Sequence, residues 1–211
     1  MKRQPENISR VEAGFSLPEL LISLVICLII MGGAVAIYST ALTTRERESG
    51  RVDAITSAQA ALSVMSREIS NSGFGLFQNN GLVLADCGQK KIRFRTNVNN
   101  NNNQTDTSGE DVMYFYDSGS RSVVRFDRNA SGGGATTGII NRVSDVDFLY
   151  HQYTLLGGYV GSSTTPTADT GRVTITLYVF LPDVTGQPSG RVERVSSDIT
   201  LRNASYHLNQ Y

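Results

Sequence analysis

The chain has 211 residues, 40% of them hydrophobic and 8% aromatic with no tryptophan, and its 19 basic and 19 acidic side chains cancel. That balance excludes a bulk electrostatic surface for nucleic acid, and the apolar content fits one modest globular domain. The only cysteines, Cys27 in an apolar stretch and Cys87 in a polar one, are too few for a disulfide framework.

Residues 1–14 read as a short leader that carries Lys2, Arg3 and Arg10 and ends in Gly14 before Phe15. The apolar run from Leu20 to Tyr38 (LLISLVICLIIMGGAVAIY) is about right for one helical crossing of a ~30 Å hydrocarbon core. The leading cations predict a single pass, with the N-terminus cytoplasmic and the rest outside. A secretory signal has its apolar region before the cleavage point, with small residues at the cut. Here the apolar run follows Gly14-Phe15, and a cut between them would leave it in the mature chain, with 16 basic and 17 acidic residues. Pro18 falls in the first helical turn, where its missing N–H has no intrahelical acceptor to lose. Gly32-Gly33 weakens the span by roughly 1 kcal/mol per glycine. Close helix packing in the membrane and a stretch that loosens on leaving the bilayer are both consistent with the pair.

Glu19 stands out near the apolar end of this run. A carboxylate there costs up to ~3 kcal/mol on insertion scales, less near the interface, and the helix dipole offsets part of it. A cation would offset the rest, and cleavage before Phe15 would supply one as the new α-amino group. The pattern Gly14-Phe15-Ser16-Leu17-Pro18-Glu19 resembles the class III signal of type IV prepilins. That resemblance implies cleavage by prepilin peptidase between Gly14 and Phe15, N-methylation of Phe15, and pairing of Glu19 with a neighbouring subunit's terminal amine. The plain alternative for Glu19 is an interfacial carboxylate in an ordinary signal anchor.

Beyond the charged exit at Arg45-Glu46-Arg47-Glu48, the positions Val52, Ile55, Gln59, Leu62, Ser66 and Ile69 follow a three-four spacing, with Ala58 and Met65 beside them. This predicts an amphipathic half of the same helix over 39–75, after a transmembrane half over 15–38. A stop is expected at Asn71-Ser72-Gly73-Phe74-Gly75, with glycine supplying a left-handed cap. From Phe15 to Ser72 the helix would be on the order of 85 Å long at 1.5 Å per residue, with Gly50 a candidate kink.

Over 76–211 the period changes to two. Short runs at 92–95, 112–116, 123–126, 146–150, 173–179 and 192–201 are rich in β-branched and aromatic residues. They predict five or six antiparallel strands, with a hairpin turn at Asp117-Ser118-Gly119-Ser120. Gly138 to Arg142 reads as one more strand or as a loop. The expected fold class is therefore α+β, a long N-terminal helix packed on an antiparallel sheet. Asn97–Gly109, rich in asparagine, and Leu155–Gly171, rich in Gly, Ser and Thr, read as exposed loops too polar for the core.

The segment Ala61–Gly75 resembles the end of the long helix in minor pilins of the PilW family, where L-x-x-[LM]-x-R-[DE]-I-R-x-x-G-[YF] leads into a glycine. This chain keeps Leu62, Met65, Arg67, Glu68, Ile69, Gly73 and Phe74, with Ser70 where arginine is usual. The ending Asp198-Ile199-Thr200-Leu201-Arg202-Asn203 resembles the closing strand of PilW-like proteins and of the J-type pseudopilins of type II secretion. Pro18 and a leader of 14 residues depart from the commoner pattern.

A search for chemistry yields little. His151 and His207 have no Cys or carboxylate at metal-ligand spacing, and His151 reads as a rim residue of a strand. Gly132-Gly133-Gly134 has no Gly-Lys-Ser/Thr after it, and Ser131 lacks a strand-elbow-helix frame. Asp106, Ser108, Glu110 and Asp111 offer oxygens for calcium without the EF-hand order. Asn129 and Asn203 each open an Asn-Ala-Ser triplet, a sequence more often a turn than a glycosylation site. The chain is read as no enzyme, with no cofactor or metal. The resemblance implies a minor pilin that helps prime type IV pilus assembly from the inner membrane. Its partners would be prepilin peptidase and, through the N-terminal helix, other minor pilins and the major pilin. The alternatives are a J-type pseudopilin, and a membrane-anchored binding or adhesion domain that keeps its N-terminus.

Overall fold

A computed structural model describes residues 14–77, 80–99, 103–185 and 188–205. The leader's first thirteen residues, Asn100–Asn102 of the asparagine loop, and His207 lie outside the described residues. The chain divides into two compact units, Met1–Glu46 and Arg47–Tyr211. One helix, α1 (Leu17–Ser70), contributes to both.

In the first unit every residue from Gly14 to Leu42 is exposed. The helix is long and apolar enough to cross a membrane. Its hydroxyls are turned back onto its own carbonyls. Ser39 Oγ donates to Ala36 O, and Thr40, Thr43 and Thr44 donate to the carbonyls four residues earlier, all within 2.9–3.0 Å. A polar side chain satisfied in this way can face hydrocarbon without leaving an orphan donor.

In the second unit the helix continues unbroken through Gly50. Glycine answers a close approach there, since an added Cβ would lie 2.7 Å from Pro182 Cγ. The buried face of this half is Ala58, Ala61, Leu62, Met65 and Ile69. That row is rotated from the predicted stripe: Val52 is 58% exposed and Gln59 is also exposed. Ala58 and Ala61 belong to the buried row, so the burial includes small residues that a hydropathy stripe underweights.

Among the described residues, two antiparallel sheets of four strands each replace the single sheet of five or six strands that was expected. The first has the order β1 (Lys91–Arg95), β2 (Asp111–Asp117), β3 (Ser122–Asp127), β4 (Ala135–Ile140). The second has the order β6-β5-β7-β8, with β5 Val143–Tyr153, β6 Tyr159–Ser163, β7 Thr170–Phe180 and β8 Val192–Thr200. The α+β class holds. The segment open between strand and loop at 138–142 belongs to β4 at its start, and β6 lies inside the stretch read as a loop. Both are largely exposed edge strands, Ala-Thr-Thr-Gly-Ile-Ile and Tyr-Val-Gly-Ser-Ser, whose large apolar residues sit together at one end, so they lack the alternation that marks a half-buried strand.

The β2–β3 turn forms where it was expected. Asp117 pairs with Ser122, and the Gly119 N–H donates to Asp117 Oδ1 at 3.0 Å. The core gathers Met65 and Ile69 of the helix with Ile92, Phe94, Val112 and Tyr114 of the first sheet and Phe148, Tyr150, Ile175 and Leu177 of the second. Each large side chain fully buried there contributes roughly 1.5–3 kcal/mol of transfer free energy.

The helix ends in the predicted place by the predicted means. Asn71 N–H and Ser72 N–H donate to the carbonyls three residues back, and Gly73 then takes φ 81°. Its N–H donates to Arg95 O at 2.9 Å. Gly81, at φ 76°, passes so close that a Cβ would lie 2.0 Å from Gly73 N. No side chain fits at that crossing.

Candidate functional site

The N-terminus of α1 is built by its first few residues. Ser16 stands just before the helix, its carbonyl accepts the Leu20 N–H at 3.2 Å, and its Oγ donates to Glu19 Oε2 at 3.4 Å. Ser16-Leu17-Pro18-Glu19 thus has the spacing of a capping box, with Pro18 placed where a helix has no N–H to lose. Glu19 sits in the first turn, where the helix dipole favours a negative charge. Phe15, 79% exposed, and Gly14 lie just ahead of this turn. Glu19 takes part in no ion pair among the described residues. At Gly32 and Gly33 an added Cβ would meet nothing within 4 Å, so no contact inside the chain requires glycine there.

The geometry provides an exposed peptide joint ahead of the helix and a long apolar surface with one carboxylate at its head. Residues 9–35 match the family described as the prokaryotic N-terminal methylation motif. The chain carries a prepilin-type signal. That motif fits a type IV pilin or a pseudopilin, implies processing by prepilin peptidase and pilin-type subunit contacts, and is typical of a structural subunit rather than an enzyme. Together with the apolar helix it points to membrane anchoring. No curated protein matches the chain.

The remaining candidates are engaged in structure. Glu110, fully buried, accepts the N–H groups of Val98 and Asn99 on one oxygen and of Asp106 and Thr107 on the other, at 2.8–3.2 Å. Ser108 donates to Asp127 at 2.8 Å, and Asp111 is held by Arg93 and Arg95. Burial alone would raise the Asp111 carboxyl, but the two guanidiniums overcome it and hold it below the usual range. The oxygens weighed for calcium therefore organise the asparagine loop. Asn97, expected exposed, is buried at the base of that loop, with its N–H on Phe74 O at 2.7 Å.

His151 is also buried rather than at a rim. Its Nε2 lies 2.7 Å from Thr174 Oγ1, and Thr174 in turn donates to Asp198. Burial, aided by Arg172, lowers its basicity, against a smaller opposing pull from Asp198. The Cys87 thiol is pushed up by burial and bonds both the N–H and the carbonyl of Arg93 at 3.2 Å, which leaves it a poor nucleophile. Asn129 Nδ2 donates to Thr105 O at 2.7 Å and Asn203 Nδ2 to Ser72 O at 3.0 Å. Both nitrogens of the glycosylation triplets serve the fold.

One group escaped the sequence reading. Glu68 Oε2 accepts the Tyr114 hydroxyl at 2.7 Å and Arg125 Nε at 2.9 Å, joining the helix to β2 and β3. Glu68 stood in a recognised pattern, but nothing local to it names partners 46 and 57 residues away.

Proposed function

We propose that this protein is a minor pilin resembling the PilW family, which helps prime type IV pilus assembly as part of a minor-pilin complex. In this reading prepilin peptidase removes residues 1–14 by cutting between Gly14 and Phe15, and Phe15 is then N-methylated. The helix spans the inner membrane once, with its N-terminus cytoplasmic, until the subunit passes to the pilus at the cell surface. In the filament, Glu19 meets a neighbouring subunit's terminal amine, which relieves the cost of an unpaired carboxylate among apolar helices.

The observation that carries the reading is the methylation motif running directly into an exposed apolar helix with satisfied hydroxyls. Bare in water, that surface needs a cover, and lipid first and neighbouring helices later both supply one. The Leu62-to-Phe74 pattern favours the PilW resemblance, and the closing Leu201-Arg202-Asn203 agrees with it. With Cys87 inside the head and Cys27 on the apolar helix, there is no C-terminal disulfide loop of the kind common in abundant pilins, which favours a minor subunit.

The closing strand is equally like that of J-type pseudopilins, so the test must separate the machines. Deleting the gene is expected to remove or sharply reduce surface pili while exoprotein release continues. Normal pili with blocked release would assign the protein to type II secretion instead. Membrane protein that stays uncleaved whether or not prepilin peptidase is present would leave an anchored binding domain.

A further inference from the structure

The second sheet ends in a protrusion of unusual composition. Strands β5 and β6 close through Thr154–Gly158, with Leu155 and Leu156 at the turn. Leu156 is 96% exposed, more than any large hydrophobic residue of the apolar helix, and Leu155, Tyr159 and Val160 are each more than half exposed. No charged residue lies between His151 and Asp169.

The turn is well held. Thr154 N–H donates to Gly158 O at 2.8 Å, Gly157 N–H to Thr154 O at 2.9 Å, and Gly158 N–H to Thr154 Oγ1 at 2.9 Å, with Gly157 at φ 84°. This is a three-residue hairpin loop whose glycine adopts the left-handed conformation. Behind it, Tyr153 pairs with Tyr159, their rings 5.7 Å apart edge to face, and the Tyr159 ring stands 6.1 Å from that of His151. The leucines are thus held outward on a fixed support.

We propose that this hairpin tip inserts into the interfacial region of a lipid bilayer. Three features select lipid over a protein groove. The apolar groups occupy the end of the hairpin, where Leu156 is almost fully exposed and so bare on every side. A flat protein surface would cover one face, whereas a fluid medium covers all of them. The hairpin tip carries no charged side chain of its own, and the charges at its base, Asp169 beside Tyr153 and Arg172 opposite His151, stand behind the leucines, where a headgroup layer would hold them. The order of leucines at the end and tyrosines behind them matches the depth preferences of a bilayer, apolar groups below and amphipathic rings at the headgroups. With no lysine or arginine between Gln152 and Ala168, the contact should depend little on anionic lipid. The proposal rests on the head alone and does not require the pilin reading.

Because the chain has no tryptophan, a single substitution reports on the tip. The full-length L156W variant is reconstituted in phosphatidylcholine vesicles with brominated acyl chains, either in the host vesicle or in a second, protein-free population mixed with it. F77W, at an exposed residue of another loop, is the control. The proposal expects L156W emission to shift to shorter wavelength and to be quenched by brominated lipid in at least one arrangement, with F77W quenched in neither. An L156W emission typical of water and unquenched in both would overturn it. A shifted but unquenched emission would overturn it too, and would point to a protein pocket as the occupant.

Discussion

The backbone N–H of Arg202 donates to the carbonyl of Ser70 at 3.1 Å, so the chain leaving its last strand closes the C-terminus of its long helix. One residue on, Asn203 Nδ2 donates to Ser72 O at 3.0 Å. Helix ends leave carbonyls without intrahelical partners, and here two of the carbonyls around the helix end are met from the far end of the chain. The two segments that carried a family resemblance, 61–75 and 198–203, are therefore in contact. Their sequences are constrained together because each satisfies the other.

Asn203→Ala removes one of these bonds and leaves the Ser72 carbonyl beside a buried side chain. A loss of about 1 kcal/mol is expected, with a melting temperature lower by several degrees for the full chain in detergent. An unchanged melting curve would show that the cap is idle.

Glu68 is placed to cost more. Its carboxylate takes both Tyr114 and Arg125, and burial, followed by the carboxylate itself, holds the Tyr114 hydroxyl in its protonated, donating form. Glu68→Ala strands both donors and should destabilise the head by about 2–4 kcal/mol, whereas Tyr114→Phe should cost about 1 kcal/mol. Denaturant midpoints of the two variants test the order. A Tyr114→Phe loss equal to that of Glu68→Ala would contradict the shared-acceptor account.

Acid should weaken the head in two stages. The His151 imidazole titrates lower folded than unfolded, because burial first and Arg172 second disfavour its charge. A depressed pKa means the unfolded chain takes up the proton first, so stability present above about pH 6.5 falls as pH drops toward the folded value. Asp111 and Asp147 are also lowered, against an opposing push from burial, by Arg93 with Arg95 and by Lys90 with Gln89 respectively. Their contribution is present above the ordinary carboxylate range and is lost as pH falls below it. Denaturation midpoints followed from pH 8 downward should show the first decline in wild type and not in His151→Gln. A decline of equal size in that variant would exclude His151 as its source.

Glu19→Ala is expected to leave processing intact and to reduce incorporation into filaments by about tenfold, the population change of a ~1.4 kcal/mol loss. Immunoblots of membrane and sheared-filament fractions measure both quantities. Normal incorporation of the variant would remove the charge-pair role from Glu19.

Much of this architecture was legible because its signals are local. The methylation motif over 9–35 and the apolar run from Leu20 to Tyr38 need no tertiary context, and Gly73 announces its own turn. The edge strands β4 and β6 were less legible, because a strand paired on one side and bare on its faces needs no apolar alternation. The burial of Asn97, Glu110 and His151 was hidden for another reason. Each is a polar residue whose place depends on partners that the fold supplies, such as the four backbone N–H groups around Glu110. The exposed Leu155-Leu156 pair was passed over because its glycine-rich surroundings read as a featureless loop.

The central claim is that the chain is cut between Gly14 and Phe15 and enters the pilus as a minor subunit. Mass spectrometry of sheared surface filaments tests it most directly, by searching for a peptide that begins at N-methylated Phe15 and quantifying it against the major subunit. The account predicts that peptide in the filaments at a small fraction of the major subunit. Processed protein confined to the membranes, or an N-terminus still joined to residues 1–14, would contradict it.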